Sequence, residues 1–237
     1  VTAGRTGGTR LRYLIDYHPM ATCHGEVLGE NLSSLVAPGS VAEERMREER
    51  DADPAGFIAR RVLAAEGGRA VGFKVLYRQL TDEWPVVFDA IVADRTVRVV
   101  HLVRRNLVKR FVSEFLVGTK VVMHRYFHHE QPPMPVTAEI PVERMVADLH
   151  RVEAEVQAMR EAFKEHPLHE IAYEETIDDA GNAMHELLRF LGLPPARLWS
   201  PTRKVLPDRL SEVVGNLGEV ASALRGTPYE PMLAEDA

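Results

Sequence analysis

The sequence predicts an α/β fold in three layers, with a central parallel sheet covered by helices on both faces. Three observations carry that expectation. Short runs rich in Val, Ile, Leu and Phe alternate with segments of helical periodicity, the order produced by parallel strands joined through helical crossovers. Those runs are apolar along their length, as strands buried on both faces are. At 237 residues the chain can bury roughly 70–75% of its unfolded surface without disulfides or a structural metal.

Val1-Thr2-Ala3 leads straight into the turn Gly4 to Thr9, so residues ahead of Val1 are expected to complete a first strand. Thr9 to Tyr17 has helical spacing, with Leu11, Leu14 and Ile15 inward. His18-Pro19 stops it, because the residue before a proline is driven out of the α region. Met20 to Cys23 is a short apolar run before His24-Gly25-Glu26. Asn31 to Glu66 is polar, and its mixed-sign stretch Glu43 to Arg50 is expected to be a solvated helix face. Asp53-Pro54 starts a helix in which Phe57, Ile58, Val62 and Leu63 recur at helical spacing. Ala70 to Leu76 is predicted as a buried strand and Asp82 to Ala93 as a helix. Val97 to Val103, with four valines and a leucine, is the strongest strand candidate, and a helix from Asn106 to Leu116 follows it directly.

Gly118 to Pro141 is irregular and rich in His, Pro and Met. Pro141 to Phe163 is predicted as a long helix whose stripe Met145, Leu149, Val152, Val156 and Met159 faces the core or an interface. His169 to Tyr173 is a further strand. Thr176 is expected to cap a helix from Ile177 to Leu191, ended by Gly192 and Pro194, and Asp208 to Leu224 to form the last helix.

Composition narrows the function classes. Lys and Arg number 29 against 35 Asp and Glu, a formal charge of −6, which argues against a nucleic-acid partner while permitting a local basic pocket. The single cysteine, Cys23, excludes an intrachain disulfide and a Cys-rich zinc site. No apolar run approaches about 18 residues, so no transmembrane segment is expected. No signal peptide is visible, and the expected location is cytoplasmic. Homo-oligomerisation stays open.

The loop Gly4-Arg5-Thr6-Gly7-Gly8-Thr9 lies between a strand end and a helix start. Such a loop presents backbone N–H groups and the positive end of a helix dipole to an anion. Gly7 and Gly8 let the backbone curl closely, Thr6 and Thr9 add hydroxyls, and Arg5 adds a bidentate cation. A Walker lysine is missing, as is the GxGxxG pattern, so an Mg-ATP machine is disfavoured against another phosphate-bearing ligand. A second anion site is suggested by Arg104-Arg105-Asn106 at the end of the valine-rich strand. A strand-end arginine there can meet the hydroxyl of Ser113, about two helical turns on.

Together the two segments resemble the paired signature of PAPS-dependent sulfotransferases, which move a sulfuryl group from 3′-phosphoadenosine 5′-phosphosulfate (PAPS) to a hydroxyl and release PAP. The likeness continues through His18-Pro19, Gly25-Glu26-Val27-Leu28 and Val71-Gly72-Phe73-Lys74. It includes Val103-Arg104-Arg105-Asn106, Tyr173-Glu174 with Phe190-Leu191-Gly192-Leu193-Pro194, and the tail Asn216 to Leu233. In this it looks most like the bacterial nodulation-factor and lipopolysaccharide (carbohydrate) branch. The resemblance implies a P-loop-like, nucleotide-kinase-like sulfotransferase fold in a single domain over residues 1–237, with no metal. The less recognisable stretches at about 30–70 and 118–165 are expected to bind the acceptor, a small molecule or glycolipid. It also implies that Arg5, Thr6, Gly7, Gly8, Thr9 and Arg10 hold the 5′-phosphosulfate end of PAPS. Arg104 or Arg105 with Ser113 would hold the 3′-phosphate, and Arg203 and Lys204 would close over the nucleotide. The chain departs from the family where Gly8 replaces a common Ser or Thr and Leu107 a common Pro.

Sulfuryl transfer is helped by a base at the acceptor hydroxyl. Glu26, after a short strand and a glycine, is the first candidate, and the resemblance places the family's glutamate there. His24, with a side-chain type suited to proton transfer, is the second. Lys74 lies in an apolar run, where an unpaired ammonium is costly. Facing an anion at a strand end removes that cost, and snorkelling from a strand edge is the other resolution. Arg5 and Lys74 would then neutralise charge developing on the bridging oxygen. His124, His128, His129 and Glu130 carry no HExxH pattern and no third ligand, so they are read as an acceptor loop or surface histidines. The competing readings are a nucleotide or small-molecule kinase and a nucleotide-binding module without turnover.

Overall fold

The computed structural model describes residues 1–30, 32–64, 70–119, 137–178, 180–204, 206–207 and 209–236. They divide into two units, Val1–Val103 with Ala158–Ser200, and Arg104–Gln157 with Pro201–Ala237. The strands are β1 (Ala21–His24), β2 (Ala70–Phe73), β3 (Val99–Val103) and β4 (Leu168–Ala172). The helices are α1 (Gly8–Asp16), α2 (Val41–Ala52), α3 (Pro54–Phe57), α4 (Pro85–Ala93), α5 (Leu107–Gly118), α6 (Val142–Ala162), α7 (Glu175–Asp178), α8 (Ala180–Leu191) and α9 (Leu217–Leu224).

The four strands found among the described residues belong to the first unit. β1 pairs with β2 in parallel, Ala21 opposite Ala70 and His24 opposite Phe73. β3 pairs with β4 in parallel, Val99 opposite Leu168 and Val103 opposite Ala172. Thr2 joins the two pairs, with parallel bridges to Leu76 beyond β2 and to Leu102 in β3. Its N–H donates to Val75 O at 3.1 Å and its carbonyl accepts from Tyr77 N at 3.0 Å. Its hydroxyl donates to Leu102 O at 2.8 Å. The lateral order is therefore β1, β2, the Thr2 segment, β3, β4. In place of one continuous central sheet, the strands form two two-stranded parallel sheets, linked through the isolated bridges at Thr2.

The loop after Ala3 feeds α1, whose Leu11 and Leu14 pack with Leu102, Ile171, Met184 and Leu187. The contact sets α1 and α8 against the strands, and each fully buried leucine contributes about 1.5–3 kcal/mol. Truncating Leu187, which has no exposed surface, to alanine would cost about 2–5 kcal/mol. The His18-Pro19 stop has a tertiary purpose too. Buried His18 accepts from Met20 N at Nδ1 and donates to Pro194 O from Nε2, both at 3.0 Å. Two turns distant in sequence are thereby pinned together.

Several expectations are corrected. The charged run in α2 is not wholly solvated, since Glu43 and Arg50 are 4% and 5% exposed. Backbone groups supply their partners: Glu43 accepts from Leu32 N at 2.8 Å and Gly39 N at 2.7 Å. The helix expected from Asp82 begins later, at Pro85, after a π turn over Gln79–Glu83. Proline suits the first helical position, where its missing N–H has no acceptor. Thr176 lies inside α7 and donates its hydroxyl to Tyr173 O at 2.6 Å, so it does not start a helix at Ile177.

In the second unit α5 is capped by Asn106, which accepts from Lys109 N at 2.8 Å. Val108, Phe111, Val112 and Leu116 are buried along it, as are Met145, Leu149 and Val152 on α6. Arg110, only 1% exposed, reaches Glu114 and Asp148. The last helix is broken into a 3-10 turn at Leu210–Glu212 and α9. Between them the backbone leaves the helix to pair with residue 138. The Asn216 amide exchanges hydrogen bonds with Ile140 N and O at 2.8 and 2.9 Å.

Candidate functional site

Parallel strands in register end together, and in α/β proteins the crevice beyond their carboxyl ends is where ligands bind. At this edge the loop from Gly4 leaves the Thr2 segment, Gly25-Glu26 leaves β1, Lys74 leaves β2 and Tyr173 leaves β4. The loop turns sharply, with Arg5 at φ 61° and Gly7 at φ 83°. A non-glycine residue in the left-handed region costs about 1 kcal/mol or more, and such strain gathers at functional sites.

Both expected glycines have identifiable neighbours. A Cβ on Gly7 would lie 2.3 Å from Tyr173 Cδ2, and one on Gly8 would lie 2.8 Å from Lys74 Cε and 3.2 Å from Thr2 Cγ2. The loop thus runs between an aromatic ring and a lysine stem. Gly7 caps α1 without a side-chain acceptor, so the first-turn N–H groups find no carbonyl within the helix. Positive helix-end potential adds to that donor set. Thr6 is turned inward: it is 2% exposed and its hydroxyl donates to Ala3 O at 2.7 Å, which stiffens the loop.

Lys74 Nζ lies 2.6 Å from Glu26 Oε1 and 3.4 Å from Thr9 Oγ1. The pair is half-sheltered, with side-chain exposures of 14% for Lys74 and 31% for Glu26. The lysine therefore resolves its place beside an apolar strand by ion pairing, not by snorkelling away. His24 makes its polar contact elsewhere, Nδ1 lying 3.3 Å from Ser34 O. Burial pushes the Cys23 thiol up to about 12, which removes it as a nucleophile near neutral pH.

Arg10 faces a recess of about 360 Å³ beside α1, shared with Leu14, Met184, His185, Leu188 and Arg197. Its Nε is buried without a hydrogen-bond partner among the described residues. In the second unit Arg104 and Arg105 occupy the turn into α5, with Arg105 exposed, and Ser113 is buried in that helix at 6% exposure. Arg203 and Lys204 are exposed and lie outside any helix or strand. His124, His128, His129 and Glu130 lie outside the described residues. The structure so brings Gly7, Gly8, Thr9, Lys74 and Glu26 together, and adds Tyr173. The sequence placed Tyr173 in a motif but gave it no task, because a ring over a glycine leaves no local signature.

These features define an α/β protein with a strand–glycine loop–helix junction at the open edge of a parallel sheet. The crystal structure of a sulfotransferase from Alicyclobacillus acidocaldarius shares this fold, with a TM-score of 0.54, 18% sequence identity, and coverage of 100% of this chain and 92% of that one. No protein-family model and no curated protein sequence matches the chain. Among the described residues no helix is long and apolar enough to cross a membrane.

Proposed function

We propose that this chain is a sulfotransferase that moves a sulfuryl group from PAPS to an acceptor hydroxyl. The observation that carries the reading is the Lys74 ammonium, held between Glu26 and Thr9 beside the glycine loop. The fold shared with a sulfotransferase supports it. In this reading the loop from Arg5 to Arg10 receives the 5′-phosphosulfate end. Arg104 or Arg105, with Ser113, receives the 3′-phosphate, and Arg203 and Lys204 cover the nucleotide. The acceptor is a carbohydrate or glycolipid, following the sequence likeness, and the reaction is cytoplasmic.

Glu26 takes the proton from the acceptor hydroxyl. The acceptor oxygen forms its bond to sulfur as the bond from sulfur to the bridging phosphate oxygen breaks, and that electron pair leaves with PAP. Lys74 releases Glu26 and turns to the bridging oxygen, where it and Arg5 neutralise the developing charge. A positioned base of this kind supplies about 10²–10⁴ in rate, and an electrostatic partner about 10²–10³.

Calorimetric titration of the chain with PAP, AMP and ATP-Mg tests the reading. PAP should bind in preference to AMP, and the preference should vanish in Arg105→Ala or Ser113→Ala. Equal binding of AMP by the unaltered chain would remove the 3′-phosphate assignment, and a preference for ATP-Mg would turn the reading to a kinase.

A further inference from the structure

Glu26 stands on a short turn between β1 and the polar region, a poor support for a carboxylate that must meet a substrate proton. Side chains from two other elements grip the backbone that follows it. Arg50 of α2, 5% exposed, donates from Nη1 to Gly29 O at 2.6 Å and Val27 O at 3.3 Å. Trp84, at the start of α4, donates from Nε1 to Leu28 O at 3.0 Å. Three consecutive carbonyls are thus held by side chains. The clamp is itself braced: the Arg50 guanidinium lies 5.0 Å from the Trp84 ring centroid, and its Nε donates to Asp51 Oδ1 at 2.8 Å. Gly29 N donates back to Glu26 O at 2.8 Å, which closes the turn onto the glutamate. Val27 and Leu28 are buried at 0% and 3% exposure, so the turn is anchored from below as well.

We infer that Arg50 and Trp84 are positioning residues for Glu26, acting through the Val27–Gly29 carbonyls to hold its carboxylate at Lys74. The inference rests on Glu26 being the base. It assigns a task to the charged helix α2, which the sequence had placed in a stretch left for the acceptor. The hydrogen bonds of Arg50 and Trp84 go to the Val27–Gly29 carbonyls and to Asp51, so their effect belongs to turnover and not to nucleotide binding. Loosening the turn displaces the carboxylate, and a displacement of about 1 Å costs up to about 10²-fold in rate.

The test is PAP release from PAPS by the full chain, with octyl glucoside or water as acceptor. The variants are Arg50→Lys, Trp84→Phe, Glu26→Gln and the two doubles. Trp84→Phe keeps the ring over the guanidinium and loses only the N–H donor, so it carries the test if Arg50→Lys does not fold. Each single variant should lower kcat by about tenfold or more, leaving KM for PAPS and calorimetric PAP affinity within about twofold. In the Glu26→Gln background both should lose their effect, because the group they position is gone. An unchanged kcat in Arg50→Lys and Trp84→Phe, or the same fold-loss with and without Glu26, would overturn the positioning role and leave Glu26 as base. Full activity in Glu26→Gln would overturn both readings.

Discussion

The ammonium of Lys74 and the carboxylate of Glu26 are 2.6 Å apart, one just beyond the end of each of two adjacent parallel strands. Lys74 N donates to His24 O at 3.0 Å, Gly29 N closes the turn onto Glu26 O at 2.8 Å, and the two side chains hold each other. Glu26→Gln should therefore lower turnover by about 10²–10⁴-fold, and Lys74→Met by about 10²–10³-fold. Both should retain the unfolding midpoint to within a few degrees, because a partly exposed pair adds little stability. Single-turnover PAPS assays beside thermal melts would separate the two effects.

Gly7 and Gly8 should respond differently to alanine. Gly7 combines φ 83° with a Tyr173 ring atom 2.3 Å from the Cβ position, so Gly7→Ala should destabilise by about 1–3 kcal/mol. Adding Tyr173→Ala should recover the steric share and not the backbone share. Gly8→Ala meets the flexible Lys74 stem at 2.8 Å and the buried Thr2 methyl at 3.2 Å, so it should cost less stability than Gly7→Ala while displacing the ammonium. Urea titration would show the smaller loss for Gly8→Ala, and the turnover assay the larger effect.

His101 gives the fold an acid limit. It is 1% exposed, and its Nε2 lies 2.6 Å from the Tyr77 hydroxyl. Its Nδ1 lies 3.0 Å from Glu170, which is paired with Arg160 at 2.6 Å. Burial holds His101 down to about 4, from an ordinary 6.5. The unfolded chain thus binds the proton first as pH falls, so this contribution is complete above about pH 6.5 and is lost toward pH 4. The loss is on the order of 3 kcal/mol. Denaturant titrations at pH 7 and pH 4.5 should show it, and His101→Gln should flatten it.

Arg110 is buried in α5 between Glu114 and Asp148. Asp148→Ala takes one carboxylate from a buried guanidinium that keeps Glu114, and should cost about 1–3 kcal/mol. Arg110→Met, which removes the charge and keeps most of the volume, should cost less. Thermal unfolding of the two variants side by side decides the order.

Much of this was readable in the residues. The valine-rich run, the helix that follows it and the glycine-rich turn into the first helix are local signals, and the structure has β3, α5 and the turn into α1 at those places. Other features depend on distant partners. Thr2 is central in the sheet because Leu76 and Leu102 flank it, which no short window reveals. Glu43 and Arg50 look like surface charges until backbone groups of residues 27–39 come within reach. The break before α9 follows from Asn216 finding Ile140, many residues away. At the candidate site, Glu26 and Lys74 could be singled out separately, while their ion pair depends on strands registering across a long insertion.

The clamp also gives the molecule an optical reporter. Of its two tryptophans, Trp199 is 51% exposed beside Tyr17, whereas Trp84 bonds the carbonyl of Leu28 under a guanidinium. In a Trp199→Phe chain the remaining indole emission comes from beside the turn that follows Glu26. Its colour and intensity would follow that turn, without an added label, while a nucleotide or acceptor binds.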